Sequence, residues 1–213
     1  MRDVMNRVRN VWKREEKKKI EYEAKSVREL LKEMKNISEL IVDLSYSSIL
    51  FKNKKLAREV RYLEARMDTL NYEIRMQATL AARNVENAEK MAGILQIAEA
   101  AESISNAAGD VVKILNLDLA HPLIPYFLKE SSEILVRIRI KNAPVVYGKK
   151  LGELKIRSET GSKIVAIRRG DRWIYGPDKN ETVRENDTIF IKGTEEGVEK
   201  VKNLMKGKTE VLQ

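Results

Sequence analysis

The spacing of apolar residues changes near residue 132, and this change constrains the fold more than any other feature of the chain. Up to residue 115, apolar residues recur every three or four positions, which is the period of a helix packed on other helices. Beyond residue 132 they alternate with polar residues, which is the period of a β-strand. The clearest helical seam runs through Leu56, Val60, Leu63, Met67, Leu70 and Ile74. The sequence therefore predicts a helical unit followed by a unit that contains a sheet.

Three long helices are predicted in the first unit, residues 26–131. The apolar stripe of the first helix is Leu31, Met34, Ile37, Ile41, Leu44, Ser48 and Phe51, and that of the third is Ala88, Leu95, Ala98, Ile104, Ala108, Val111 and Leu115. Breaks fall at 52–55 and 84–87, and Ser26-Val-Arg-Glu29 is a capping box that begins the first helix. Because the connections are short, we expect an antiparallel bundle, completed by a short helix near 122–131.

The second unit, residues 132–206, is predicted to be α+β. Residues 133–141 alternate apolar and charged side chains, as a half-buried strand does. A helical turn at 151–154 leads to a hairpin over 163–177, whose Gly170-Asp171 connection suits a type II′ turn. A strand at 188–192 and an amphipathic helix at 194–205 complete the unit.

Composition excludes several classes of function. The chain has 213 residues, no cysteine and one histidine, His121, which excludes thiolate chemistry and most catalytic triads and histidine-rich metal centres. It contains no G-x-G-x-x-G fingerprint of a dinucleotide fold. No stretch is apolar enough to span a membrane, and the charged N-terminus is unlike a signal peptide. We expect a non-enzymatic, cytoplasmic protein.

The net charge of +9 is concentrated near the N-terminus, where residues 1–35 hold 12 Lys/Arg against 7 Asp/Glu. The first 25 residues are predicted to form a separate basic helical segment. Such a segment can attract nucleic acid, anionic lipid or an acidic protein, or it can be a solvated helix with internal ion pairs. Nucleic-acid binding is therefore an alternative function.

Acidic residues recur at helical spacing in all three long helices. Glu39 and Asp43 are four residues apart, as are Glu64 and Asp68, so each pair lies on one helical face. The third helix adds Glu99, Glu102, Asn106 and Asp110. Oxygen ligands from several helices can hold a hard cation such as magnesium, calcium or iron, whereas acids at this spacing can also form a solvated face.

Both units resemble known families. EMKNISELIVDLSYSSILF (33–51), LEARMDTLNYEI (63–74) and ILQIAEAAESISNAAGD (94–110) resemble the PhoU helical bundle in its archaeal form. Residues 146–194 resemble the TrkA C-terminal domain, also called the RCK C-terminal domain. The motif residues of the second match are Gly148, Leu151, Leu154, the run from Gly161 to Gly170, Pro177, Asn186 and Asp187.

The PhoU resemblance implies E-x-x-x-D metal motifs, which fall on the two helical pairs of acids described above. The family's third-helix motif maps onto Ala98, Glu102 and Asn106, so alanine stands where the family has its first acid. The metal ligands implied by the resemblance are Glu39, Asp43, Glu64, Asp68, Glu102 and Asp110. No cofactor is required, and a divalent or iron cation is the metal implied.

The TrkA-C resemblance implies a homodimeric regulator of a cation transporter or channel, with potassium the expected ion. It implies a small anionic ligand at the dimer interface, cyclic di-AMP in some members. The ligand-binding residues implied are Ile164, Val165, Arg168, Arg169 and Pro177. The alternative from the PhoU resemblance is a phosphate-signalling adaptor of a phosphate transporter. A metal-dependent hydrolase is the enzymatic option, and it ranks last.

Overall fold

The computed structural model describes residues 25–116, 133–141 and 143–209. The predicted basic segment at 1–25, apart from Lys25, and the predicted short helix near 122–131 lie outside these ranges, as does His121. None of the helices in the described ranges is long and apolar enough to cross a membrane.

Three helices form the predicted bundle: α1 (Val27–Leu50), α2 (Lys54–Ala81) and α3 (Val85–Asn116). The predicted capping box is present, because the Ser26 side chain accepts from the Glu29 N–H while the Glu29 carboxylate accepts from the Ser26 N–H. Asn53 caps α2 through its side-chain oxygen, which accepts from the Lys55 N–H at 3.0 Å. Short turns join the helices, so neighbours run antiparallel.

The predicted seam of α2 is confirmed, since all six of its apolar residues are buried. The other two stripes are partly wrong. Phe51 is 43% exposed because it lies beyond the end of α1, where the chain turns away. Ile104 and Ala88 are exposed on α3, whose buried face carries the predicted Ala98 and Ala108 together with Ala101, Ser105 and Val112.

The α+β unit contains β1 (Ile134–Arg139), α4 (Ile156–Thr160), β2 (Lys163–Arg169), β3 (Arg172–Tyr175), β4 (Thr188–Gly193) and α5 (Glu195–Met205). The strands form one antiparallel sheet in the order β1-β4-β2-β3. Gly170 has φ 60° and Asp171 has no positive φ, so the two-residue hairpin connection agrees with the predicted type II′ turn. The predicted turn at 151–154 is present, and the sequence analysis missed the helix α4 that follows it.

The sheet is covered on both faces, which corrects the prediction of a half-buried first strand. One face packs against α5 and the turns around α4, through residues such as Ile138, Ile167 and Ile189. The other face carries Leu135, Ala166 and Phe190, which join the core of the bundle. The bundle and the sheet therefore share one hydrophobic interior.

Candidate functional site

A buried carboxylate joins the bundle to the sheet. Glu59 lies on α2 and is only 4% exposed. Its carboxylate accepts a hydrogen bond from Arg137 Nε on β1 at 2.9 Å and another from Arg168 Nη1 on β2. A buried charge is stable only when it is paired and hydrogen-bonded, and here two guanidiniums from the other unit provide the partners.

Aromatic side chains continue this junction towards the outer strand of the sheet. Trp173 on β3 stacks on Phe190 at a centroid distance of 5.0 Å and on Tyr175 at 5.8 Å. From the bundle, the Tyr62 ring approaches Trp173 to 6.3 Å, and Arg168 lies over that tyrosine at 5.1 Å. Burial, together with the nearby carboxylate of Glu33, raises the pKa of the Tyr175 hydroxyl well above its ordinary value. The aromatic contacts thus add packing to the ionic contact.

A second ionic contact lies farther along the same face. Lys192 on β4 donates to both oxygens of Asp43 on α1, at 2.9 and 3.1 Å. Both side chains are about one third exposed, at 34% and 35%. We expect this ion pair to add little to the free energy of unfolding, because exposed ion pairs contribute little to it. Its effect is mainly on the orientation of β4 relative to α1.

The five predicted ligand-binding residues do not lie together. Ile164 and Pro177 line one groove, Val165 lines a different cavity near Asp43, and Arg168 belongs to the Glu59 junction. Arg169 faces the interior of the α+β unit. Within one protomer the five residues therefore lie in different places, and their roles in ligand binding at a dimer interface stay predictions.

Arg169 is held by its own domain. Its guanidinium makes two parallel hydrogen bonds to the buried Asp187, both 2.9 Å, and further bonds to Glu181 and to the Thr182 carbonyl. Hydrogen bonding to Asp187 raises the pKa of Arg169, so the group stays charged. This network fixes the loop before β4 against the end of β2.

The groove that holds Ile164 and Pro177, called here the outer groove, lies between α4, the start of β2 and the loop after β3. Its volume is about 540 Å³. Apolar atoms of Leu151, Ile156, Ile164 and Pro177 line it. Four cationic residues and one acidic residue border it: Lys155, Arg157, Lys163, Lys179 and Asp178. Two backbone hydrogen bonds of 2.9 Å fix its wall, from the Leu151 N–H to the Glu181 carbonyl and from the Gly152 N–H to the Lys179 carbonyl. Sequence analysis missed these cations because they belong to three separate elements.

The six predicted metal ligands are spread over the three helices. Glu39 pairs with Lys35 at 2.7 Å, and Asp110 pairs with Lys113 at 2.6 Å. Asp43 holds Lys192, as described above, and Glu102 accepts from the Asn71 side chain. The remaining two are Glu64, whose carboxyl lies against Gly109, and Asp68, which is exposed.

The described residues contain no group of three His, Cys, Asp or Glu placed to hold a metal ion. Burial, together with the neighbouring carboxylates of Asp68 and Asp110, raises the pKa of Glu64, against the lowering effect of Lys113. The arrangement does not match a multinuclear cluster, and metal ligation by the six residues stays a prediction.

Family models match both units of the chain. The PhoU domain matches residues 31–115 and the TrkA-C domain matches residues 135–206. The chain carries a PhoU domain followed by a TrkA-C domain. The matches confirm the predicted pair of domains and their order, and together with the helices and sheet they confirm the predicted fold class.

One curated relative is Potassium channel protein 1 of Methanocaldococcus jannaschii, which is 29% identical over 93 residues. The match covers 44% of this chain and 28% of that protein, so the chain spans little more than a quarter of its relative. Among solved structures, the RCK_C domain dimer of S. agalactiae BusR in complex with c-di-AMP is 28% identical, with a TM-score of 0.32, over 33% of this chain and 93% of that one. The RCK C domain of the potassium transport protein KtrA in complex with c-di-AMP is 21% identical, with a TM-score of 0.32, over 38% of this chain and 93% of that one.

Proposed function

We propose that this chain is a non-enzymatic regulatory subunit of a cation transporter or channel, with potassium the expected ion. The observation that carries the proposal is a TrkA-C domain docked on a PhoU bundle through a shared core. The 29% identity to a potassium channel protein over 93 residues supports the choice of ion. We place the protein on the cytoplasmic side of the membrane, as a homodimer bound to the transporter.

The outer groove is the proposed ligand site. Its apolar lining suits the flat face of a nucleobase, and its bordering lysines and arginine suit a phosphate. This proposal retains two of the five predicted ligand-binding residues, Ile164 and Pro177. It assigns the cationic role to Lys155, Lys163 and Lys179 in place of Arg168 and Arg169, whose guanidiniums are held by Glu59 and Asp187.

Strand β2 connects the outer groove to the bundle. Ile164 lies in the groove and Arg168 binds Glu59, four residues farther along the same strand, or roughly 13 Å at the rise of an extended chain. A ligand that moves the start of β2 changes the contact of Arg168 with α2. Only the difference in ligand affinity between two arrangements of the domains can shift their populations and so act on the transporter.

Calorimetric titration with cyclic di-AMP and with ATP tests the ligand site. We expect binding of an anionic nucleotide that weakens about tenfold or more in the double variant Lys155→Gln/Lys179→Gln, a change of about 1.4 kcal/mol in binding free energy. The control is Lys54→Gln/Lys149→Gln, which removes the same charge at two exposed positions that do not line the groove. Equal affinities of the two double variants, or no heat with any nucleotide, would reject the groove as the site.

A phosphate-signalling adaptor is the second candidate, and the PhoU match over residues 31–115 favours it. Affinity purification of the full chain from its native membranes separates the two candidates. A potassium transporter or channel among the stoichiometric partners supports the first function, and a phosphate transporter supports the second. The dimer is tested separately, by light scattering of the purified protein across a concentration series.

A further inference from the structure

A second cleft, unrelated to the outer groove, opens where the bundle meets the edge of the sheet. It has a volume of about 660 Å³ and shares no residue with the outer groove. It is lined by Lys55, Arg58, Glu59, Tyr62, Arg137, Arg139, Lys141 and Arg168. Six cationic side chains therefore surround one carboxylate, an excess of five positive charges. We call this the junction cleft.

The fold itself brings these cations together. Lys55, Arg58 and Tyr62 lie on one face of α2, three or four residues apart. Arg137 and Arg139 are two residues apart on β1, so they share the face that meets the bundle. In the sheet register Arg139 is opposite Thr188, which is in turn opposite Arg168, so one row across three strands carries two arginines.

Two of the six cations are fixed and the other four are available. Arg137 and Arg168 are held by Glu59, which positions their guanidiniums at the wall of the cleft. Arg139 donates to the Asn186 side chain at 3.3 Å and forms no ion pair with the acidic side chains that the structure describes. Within the described part of the chain, Lys55, Arg58 and Lys141 form no ion pair with an acidic side chain, and all three are exposed.

Several like charges in one cleft destabilise it unless an anion lies between them. Guanidiniums and ammonium groups recognise phosphate oxygens through charge-assisted hydrogen bonds. We propose that the junction cleft binds a small anion with two or more phosphate groups, such as an oligophosphate or a nucleoside triphosphate. Because Lys55 and Arg58 belong to the bundle while Arg139 ends β1 and Lys141 lies just after it in the α+β unit, the bound anion holds the two domains together.

The test is calorimetric titration of the full chain with tripolyphosphate and with ATP, at fixed ionic strength. The triple variant Lys55→Gln/Arg58→Gln/Lys141→Gln removes the three exposed, unpaired charges and leaves the Glu59 contacts intact. Its matched control is Arg83→Gln/Lys149→Gln/Lys206→Gln, which removes two lysines and one arginine at exposed positions outside the cleft. We expect the dissociation constant for tripolyphosphate to rise at least about tenfold in the first variant and to stay within about twofold in the second.

Three results would overturn the proposal: equal weakening in both variants, no binding of any oligophosphate to the wild-type chain, and binding of an oligonucleotide alone. Urea unfolding curves of both variants verify that each remains folded. ATP and tripolyphosphate are compared in the Lys155→Gln/Lys179→Gln variant, which weakens the other proposed nucleotide site. Equal affinity for the two means that the phosphates alone are recognised in the junction cleft, whereas tighter ATP binding there means that the base adds contacts, and either result supports the site. The double variant of the outer groove should leave tripolyphosphate binding unchanged, so the two sites fail or succeed independently.

Discussion

Replacing Glu59 with glutamine tests the junction between bundle and sheet. The carboxylate is almost fully buried and accepts from two arginines, so Glu59→Gln leaves both guanidiniums without their counter-charge. Removing one partner of a buried ion pair costs about 3–5 kcal/mol. Here the Arg137 and Arg168 side chains keep 21% and 27% exposure, so water partly restores their solvation. We therefore expect a loss of about 2–3 kcal/mol in the free energy of unfolding.

Urea denaturation followed by far-ultraviolet circular dichroism measures this loss. The control is Glu39→Gln, which makes the same chemical change at a carboxylate that is 66% exposed and paired with a lysine on its own helix. That control should change stability by less than about 0.5 kcal/mol. If Glu59→Gln falls in the same range, the buried contact does not stabilise the junction as argued.

A third variant separates charge from packing. The triple variant Glu59→Leu/Arg137→Met/Arg168→Met removes the whole ionic group and keeps a similar volume. Because fully apolar replacements of buried ion pairs are often neutral or stabilising, we expect this variant to regain most of the lost stability. A triple variant less stable than Glu59→Gln would mean that packing, and not the uncompensated charge, explains the loss.

Three further predictions concern other parts of the fold. Gly197→Ala should cost about 1–3 kcal/mol in urea denaturation, because the new Cβ would meet the Thr160 carbonyl of α4, and a loss under about 0.5 kcal/mol would contradict this contact. In Glu64→Gln the melting temperature relative to the wild type should increase as pH rises: burial raises the pKa of Glu64, so the native state binds that proton more tightly and the contribution of Glu64 to stability falls as pH rises through this range. A melting profile between about pH 4 and 7 that is unchanged in the variant would refute this assignment. Asp43→Asn should lower the free energy of unfolding by at most about 1 kcal/mol, because its ion pair with Lys192 is one third exposed. A much larger loss in urea denaturation would contradict the small contribution expected of an exposed ion pair.

The elements that could be predicted from the sequence are those in which large apolar residues recur at short, regular spacing. The α2 seam was predicted in full because every third or fourth residue is large and apolar. The buried face of α3 was predicted only in part, because alanines occur on several sides of this helix and the period alone does not select the face that packs. The capping box of α1 was predictable because Ser26 and Glu29 lie within three residues of the groups that they cap.

Contacts between distant parts of the chain were not predictable from periodicity. Leu135 interrupts the alternation of β1, and its burial follows only from the bundle that covers that face of the sheet. Glu59 was overlooked because its partners are 78 and 109 residues away in sequence. A signal was present, since Glu59 lies three residues after the buried Leu56 and next to the buried Val60, but the seam alone does not identify its partner.

The PhoU bundle and the TrkA-C sheet share one hydrophobic interior, so we expect them to unfold as one body, through which the proposed ligand on the sheet acts on the bundle. Equilibrium unfolding followed with two probes measures whether they do. Far-ultraviolet circular dichroism reports mainly the bundle helices, and the fluorescence of Trp173 reports the junction once Trp12 is replaced by phenylalanine. We predict coincident urea transitions with one midpoint and one slope. Two separated transitions, with Trp173 exposed while the helices remain intact, would contradict it.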